Sequence, residues 1–207
     1  MRKSGGLWMV AALALGAVVF ASLRRPDTSW MPLSPGTRLT YEVAAGLDAD
    51  VIDAQIVSGA AVGSVAGFSV QGPRGESRLA WNGDRLLASK LGGFRADPPL
   101  PLFAPLGKEE SLRWNGQLRT LQGDVEAEGQ LTSEETKERV DGVMRNARLT
   151  VLSIRSTLGD DELKSWFVPR VGLVRQEHRR NGLLLNRLVL MDSRRSATNN
   201  ASTPNQP

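Results

Sequence analysis

The chain has 207 residues, 26 basic and 22 acidic side chains, and no cysteine. That length suits one domain with appendages and a core that holds without staples. The missing cysteine removes disulfides, thiolate metal sites, thiol catalysis and lipid attachment through an N-terminal Cys. The basic excess lies in the termini: with Arg2, Lys3, Arg24, Arg25, Arg194 and Arg195 set aside, the 20 basic groups left in residues 26–192 face all 22 acidic ones. The globular part is close to neutral, and no nucleic-acid partner is expected.

Residues 7–23, LWMVAALALGAVVFASL, form a charge-free run of 17 residues between Arg2-Lys3 and Arg24-Arg25. A helix of that length reaches about 25 Å, close to the hydrocarbon thickness of a bilayer. Residues 1–25 are expected to be a retained single-pass anchor, with a cleaved and secreted form as the alternative because Val19-Phe20-Ala21 offers a small-x-small site. The short leader and long remainder place the rest of the chain outside the cytoplasm.

Residues 26–36, PDTSWMPLSPG, hold three prolines and read as a stiff linker. Beyond it, period-two alternation marks strands. Leu39, Tyr41 and Val43 share one face, as do Ile52, Ala54 and Ile56. Val65, Phe68 and Val70 mark a third run, which Gly63 and Gly67 are expected to bulge or bend.

Asn82-Gly83, Asn115-Gly116, Asp141-Gly142 and Asn181-Gly182 supply the punctuation, since these pairs tolerate the positive φ of a type I′ turn. Trp81 and Trp114 each precede one of these Asn-Gly pairs downstream of Glu-Ser. Ser77 and Trp81 are four residues apart, Ser111 and Trp114 three, so the two stretches differ in face and read as independent hairpin turns. Residues 97–107, DPPLPLFAPLG, carry four prolines and predict a loop covering an open end of the core, or a flap over a cavity mouth, rather than an interior strand. Residues 133–149 carry helical spacing at Val140, Val143, Met144 and Ala147. Gly142 and the strand-like run that follows favour a hairpin. From Ser193 onward apolar periodicity ends, which predicts a disordered tail.

Three stretches resemble a group of uncharacterised bacterial envelope domains, some called TapB-like and likened to the lipoprotein-carrier β-fold. They are MPLSPGTRLTYEV at residues 31–43, LPLFAPLGKEESLRWNG at 100–116 and WFVPRVGLVRQE at 166–177. Met31 and Leu39 replace aromatic residues of that pattern, and Arg170 replaces a glycine. The resemblance implies a curved antiparallel sheet around an apolar interior and an envelope location. It carries over no functional residue, because its motifs are turns and packing.

The fold expected is mainly β: a single curved antiparallel sheet or half-barrel built from hairpins over residues 37–192, with an N-terminal transmembrane or signal helix and at most one short internal helix. His178 is the only histidine, and neither a GxSxG elbow nor an HExxH pair is present. The carboxylates at 109–110, 134–135 and 160–162 read as exposed loop charges. No catalytic residue, cofactor or metal is expected. Trp81, Phe103, Trp114, Trp166 and Phe167 are the candidates for a ligand or partner surface.

The function that follows is a non-enzymatic, membrane-tethered envelope domain whose partners are the membrane, through residues 7–23, and an apolar ligand or envelope protein. One alternative is a carboxylate-dependent envelope hydrolase. The other is a weak binder of anionic polymers through Arg175, Arg179, Arg180 and Arg187.

Overall fold

A computed structural model describes residues 27–194. The stretch assigned to a membrane anchor or signal, and most of the tail, lie outside the described residues. Within them no helix is long and apolar enough to cross a membrane.

Twelve strands follow one another: β1 (Arg38–Ala45), β2 (Asp48–Val62), β3 (Val65–Gly72), β4 (Gly75–Asn82), β5 (Arg85–Leu91), β6 (Phe94–Phe103), β7 (Ser111–Thr120), β8 (Gly123–Val140), β9 (Val143–Ser156), β10 (Gly159–Val168), β11 (Gly172–Arg180) and β12 (Leu183–Arg194). Nine of the eleven connections have two residues, so each strand pairs antiparallel with its sequence neighbour. β12 then returns to β1, with Arg38 opposite Arg194 and Ala44 opposite Arg187, and the sheet closes into a barrel. An open sheet or half-barrel is thus corrected to a closed one. Closure satisfies the edge groups that an open β1 and β12 would expose. The only helical turn among the described residues is a 3-10 turn at Thr28–Trp30.

The local turn chemistry explains most of the connections. Asp141 and Gly142 have φ of 51° and 77°, Asn181 and Gly182 have 49° and 80°, and both pairs sit between strands as a type I′ turn requires. The first of these turns joins β8 to β9, so residues 133–149 form a hairpin and no helix. Asn82-Gly83 is displaced by one: Asn82 ends β4, and Gly83-Asp84 make the turn.

Asn115-Gly116 is no turn, which corrects the sequence reading. Both lie inside β7, where a Cβ on Gly116 would stand 2.5 Å from the Asp97 carbonyl oxygen and 2.7 Å from both Pro98 Cδ and the Trp114 ring. Glycine is there because β6 and the indole crowd its α-carbon. The bulge expected in the third run lies instead on β2, where the register against β3 slips between Ser58 and Ala60 and Gly59 has φ of 90°. Gly67 permits close approach of a different kind, its absent Cβ standing 2.4 Å from the Leu79 carbonyl oxygen.

The proline segment also departs from expectation, since residues 97–103 belong to β6. Its pairing with β7 stops after Arg95, Ala96 and Asp97, while Leu100, Pro101 and Phe103 pair with β5. Prolines that cannot donate to a second ladder free one edge of the strand. That half of β6 turns into the barrel, burying Leu100, Leu102 and Phe103, with Ala104 just beyond it.

Eight strands make a barrel that side chains just fill, so twelve leave room. Here the inward half of β6 and the turn at Thr28–Trp30 fill one end. Trp30 and Phe103 have ring centroids 5.5 Å apart, and Trp81 and Phe167 meet Phe103 edge-on at 5.7 and 5.3 Å. The outward positions Asp124, Glu126, Glu128 and Glu134 of β8 are charged and exposed, so this wall faces water.

Candidate functional site

Because the strands meander, the turns β1–β2, β3–β4, β5–β6, β7–β8, β9–β10 and β11–β12 gather at the end opposite the aromatic plug. That end is open. It leads into a cavity of about 450 Å³, within the range of small-molecule sites. Inward positions of nearly every strand line it, mostly aliphatic: Leu39 and Val43 of β1, Ile52 and Ala54 of β2, Leu152 and Ile154 of β9, Leu163 of β10 and Leu188 of β12 among them. Leu102, from the inward half of β6, lies at its floor side, so the proline segment borders the cavity from the plugged end and does not flap over its mouth.

The cavity wall holds two kinds of polar group. Tyr41 is buried, its hydroxyl donating to the Leu173 carbonyl at 3.1 Å, and burial raises its pKa. Towards the mouth stand Arg74, Asp161, His178 and Arg180, with Gln176 and Asn186. Alternation brings Asp161, His178 and Arg180 inward: Asp161 shares a face with Leu163 and Phe167 on β10, and Gln176, His178 and Arg180 share the facing side of β11.

Asp161 takes three hydrogen bonds. Oδ1 lies 2.6 Å from His178 Nε2 and accepts from Arg180 Nε at 3.0 Å, and Oδ2 accepts from Arg180 Nη2 at 3.1 Å. Burial pushes its pKa up, but the hydrogen bonds and charges of His178 and Arg180 outweigh that and hold it below the ordinary range. The carboxylate is therefore ionised, and both of its oxygens are engaged. Among the described residues, the only hydrogen-bond partner of the His178 ring is this carboxylate, and no group of three or more metal-type side chains converges.

None of the five aromatic candidates lines this cavity. Trp81, Phe103 and Phe167 meet in the plug with Trp30, a residue absent from the sequence candidates. The Trp81 indole donates to the Met31 carbonyl at 2.9 Å. Trp114 is buried apart from them and donates to the Pro98 carbonyl at 3.0 Å, pinning β6 where its ladder with β7 ends. Trp166 lies on the outer wall, where the Arg175 guanidinium sits 4.5 Å from its ring centroid and Val140, Ala147, Val168 and Val174 pack beside it.

The basic set also divides. Arg175 and Arg179 pair with the buried Glu177 on the outer side of β11, whereas Arg180 faces the lumen. Glu177 is held below the ordinary carboxylate range: burial raises it, and its bonds and charges with both arginines bring it down further. Sequence reasoning missed Asp161 and His178 as inward residues. The signal was present, since Asp161 is two residues from Leu163 and six from Phe167, an even spacing that keeps all three on one face.

No family model matches this chain, and no curated protein matches it. Among solved structures, it is similar to a protein of Parabacteroides distasonis described as a "putative lipoprotein", with 13% identity, a TM-score of 0.48 and 80% of this chain aligned to 98% of that one. The TapB-like relation suggested by the motifs has no counterpart in these comparisons. A second likeness, at 14% identity, a TM-score of 0.49 and the same coverage of both chains, is to a protein of Bacteroides fragilis described as a "putative exported protein with YmcC-like fold".

Proposed function

We propose that the chain is a non-enzymatic domain held outside the cytoplasm in a cell envelope, where it takes an apolar ligand into the open half of its barrel. The observation that carries this reading is the aliphatic cavity of about 450 Å³, open at one end of a barrel whose other end is filled. Water inside such a wall gains few hydrogen bonds, and an apolar group that displaces it gains buried area.

Tethering fits the same geometry. Only residues 24–26 separate the apolar run from the plugged end, a reach of about 10 Å when extended. A membrane anchor in residues 7–23 would hold the plug near the bilayer and turn the mouth away from it. A C-terminal reporter that works only in the cytoplasm should be silent on the full chain, and a working one would reverse the orientation.

Native mass spectrometry of the full chain should show co-purified apolar mass. Ala54→Phe, which projects a ring into the cavity, should remove that mass without lowering the melting temperature. A chain that is repeatedly ligand-free, with the variant and parent alike in uptake of a ten-carbon probe, would sink the reading.

The 2.6 Å contact of His178 with Asp161 favours a second reading, an acid–base site for hydrolysis. It requires a nucleophile or activated water on the ring's other nitrogen. Turnover of p-nitrophenyl decanoate that His178→Ala abolishes would establish it, and parent-level turnover in that variant would exclude it.

A further inference from the structure

We infer that the ligand is a single-chain amphiphile with an anionic head, its chain in the aliphatic cavity and its head at the mouth beside Arg74 and Arg180. This rests on the apolar-ligand reading above and deepens it. Besides the buried Tyr41, the ionisable groups lining the cavity are Arg74, Asp161, His178 and Arg180, so two guanidiniums face a single carboxylate. That carboxylate is already committed, with both oxygens taken by Arg180 and one also by His178. It has little left with which to attract a cationic head.

The guanidiniums are less committed. Arg180 spends Nε and Nη2 on Asp161, and its Nη1 makes no hydrogen bond among the described residues. Arg74, in the turn between β3 and β4, is exposed and makes no ion pair or side-chain hydrogen bond among the described residues. A guanidinium without a carboxylate, at the lip of an apolar cavity, favours a carboxylate or phosphate head through bidentate, charge-assisted hydrogen bonds. Asn186, paired with His178 across β11 and β12, adds an amide near the mouth, while the Gln176 amide, deeper in the wall, donates to Ser165 at 3.0 Å. A cationic head at this position would meet two guanidiniums and a carboxylate that already takes three hydrogen bonds, and a neutral head would gain no charge-assisted bond.

Melting of the full chain in phosphatidylcholine nanodiscs, followed by tryptophan fluorescence, tests this with four ten-carbon probes: decanoate, decyl phosphate, decanol and decylammonium. Ligands that bind the folded state raise the melting temperature. At least one anion should raise it at about tenfold lower concentration than decanol, and decylammonium should not raise it. Whichever anion acts at lower concentration identifies the head as carboxylate or phosphate.

Arg74→Gln should weaken the anions about tenfold and leave decanol unchanged, and Arg74→Glu should let decylammonium bind. Since Arg74 is an exposed turn residue, both variants should fold. Equal shifts by anion, alcohol and amine, or an Arg74→Gln chain that still prefers the anion, would overturn the head-group inference while leaving apolar binding intact. No shift with any probe would overturn the apolar-ligand reading itself.

Discussion

The two ends of the barrel solve the same problem in opposite ways. Twelve strands enclose more volume than their own inward side chains fill, and at the plugged end the chain supplies extra mass. The inward half of β6 and the turn before β1 bring Phe103, Trp30, Leu100 and Met31 into the gap. At the open end the inward residues are the same kind of aliphatic, but no segment crosses between them, and about 450 Å³ is left. The difference lies in Pro98, Pro99 and Pro101: they cost β6 its second ladder and so release it inward, whereas the strands of the open end stay in the wall.

The sharpest way to break this contrast is to empty the plug. Phe103 is 1% exposed and touches three aromatic rings, so Phe103→Ala should cost about 3–5 kcal/mol in urea unfolding. A cost near 1 kcal/mol would mean that the plugged end is no better packed than the open one. Next in size is the seam that lets β6 leave the wall. Gly116→Ala puts a methyl against the Asp97 carbonyl, Pro98 and the Trp114 ring and should cost about 1–3 kcal/mol. Gly83→Ala, with nothing within 4 Å but φ of 62°, should cost about 1 kcal/mol and serves as the control for backbone strain alone.

How much of this was legible depended on range. Asp141-Gly142 and Asn181-Gly182 are local signals, decided by positive φ within two residues, and they sit where the sequence puts them. Asn115-Gly116 is the same dipeptide with a different cause: its glycine answers to β6 and to Trp114 packing over it, and no local pattern distinguishes that from a turn. Closure by β1 and β12 joins residues some 140 to 156 positions apart, for which neither strand carries a mark. In the proline segment, the missing donors were read as forbidding a strand, whereas they forbid only one of its two ladders. The cavity was less legible. Aromatic side chains were the natural choice for a ligand surface, but large rings fill space: Trp81, Phe103 and Phe167 went to the plug, Trp114 to the seam at Pro98 and Trp166 to the outer wall. The cavity is defined by smaller aliphatics and by polar residues such as Asp161 whose inward direction only face parity reveals.

A wall residue of the open end should matter less than one of the plug. Leu163 lines the cavity, so Leu163→Ala enlarges a space that already exists and should cost about 1 kcal/mol, well below Phe103→Ala. Equal costs in chemical denaturation would show that the cavity collapses in solution and that the two ends do not differ.

The smallest effect comes from what the open half uses in place of a filled core. On the outer side of β3–β5, Glu76 accepts from Ser69 at 2.8 Å, Arg78 at 3.0 Å and Lys90 at 3.0 Å, tying three adjacent strands together. The hydrogen bonds from Arg78, Lys90 and Ser69, in that order, hold its pKa down at about 2, against an ordinary 4.5. A carboxylate with a depressed folded pKa stabilises the fold while ionised. Its contribution is thus full above about pH 4.5 and fades as the pH falls towards 2. Partial exposure limits it to about 1 kcal/mol. Amide protection factors in β3, β4 and β5, taken relative to the intrinsic rate at each pH, should fall across that acid window in the parent chain, while those of Phe103 and Phe167 hold. In Glu76→Gln the lower protection factors should already be present at pH 6 and change little on acidification. An acid response that begins in the plug, or one that Glu76→Gln leaves untouched, would place the weak half of the barrel at the other end.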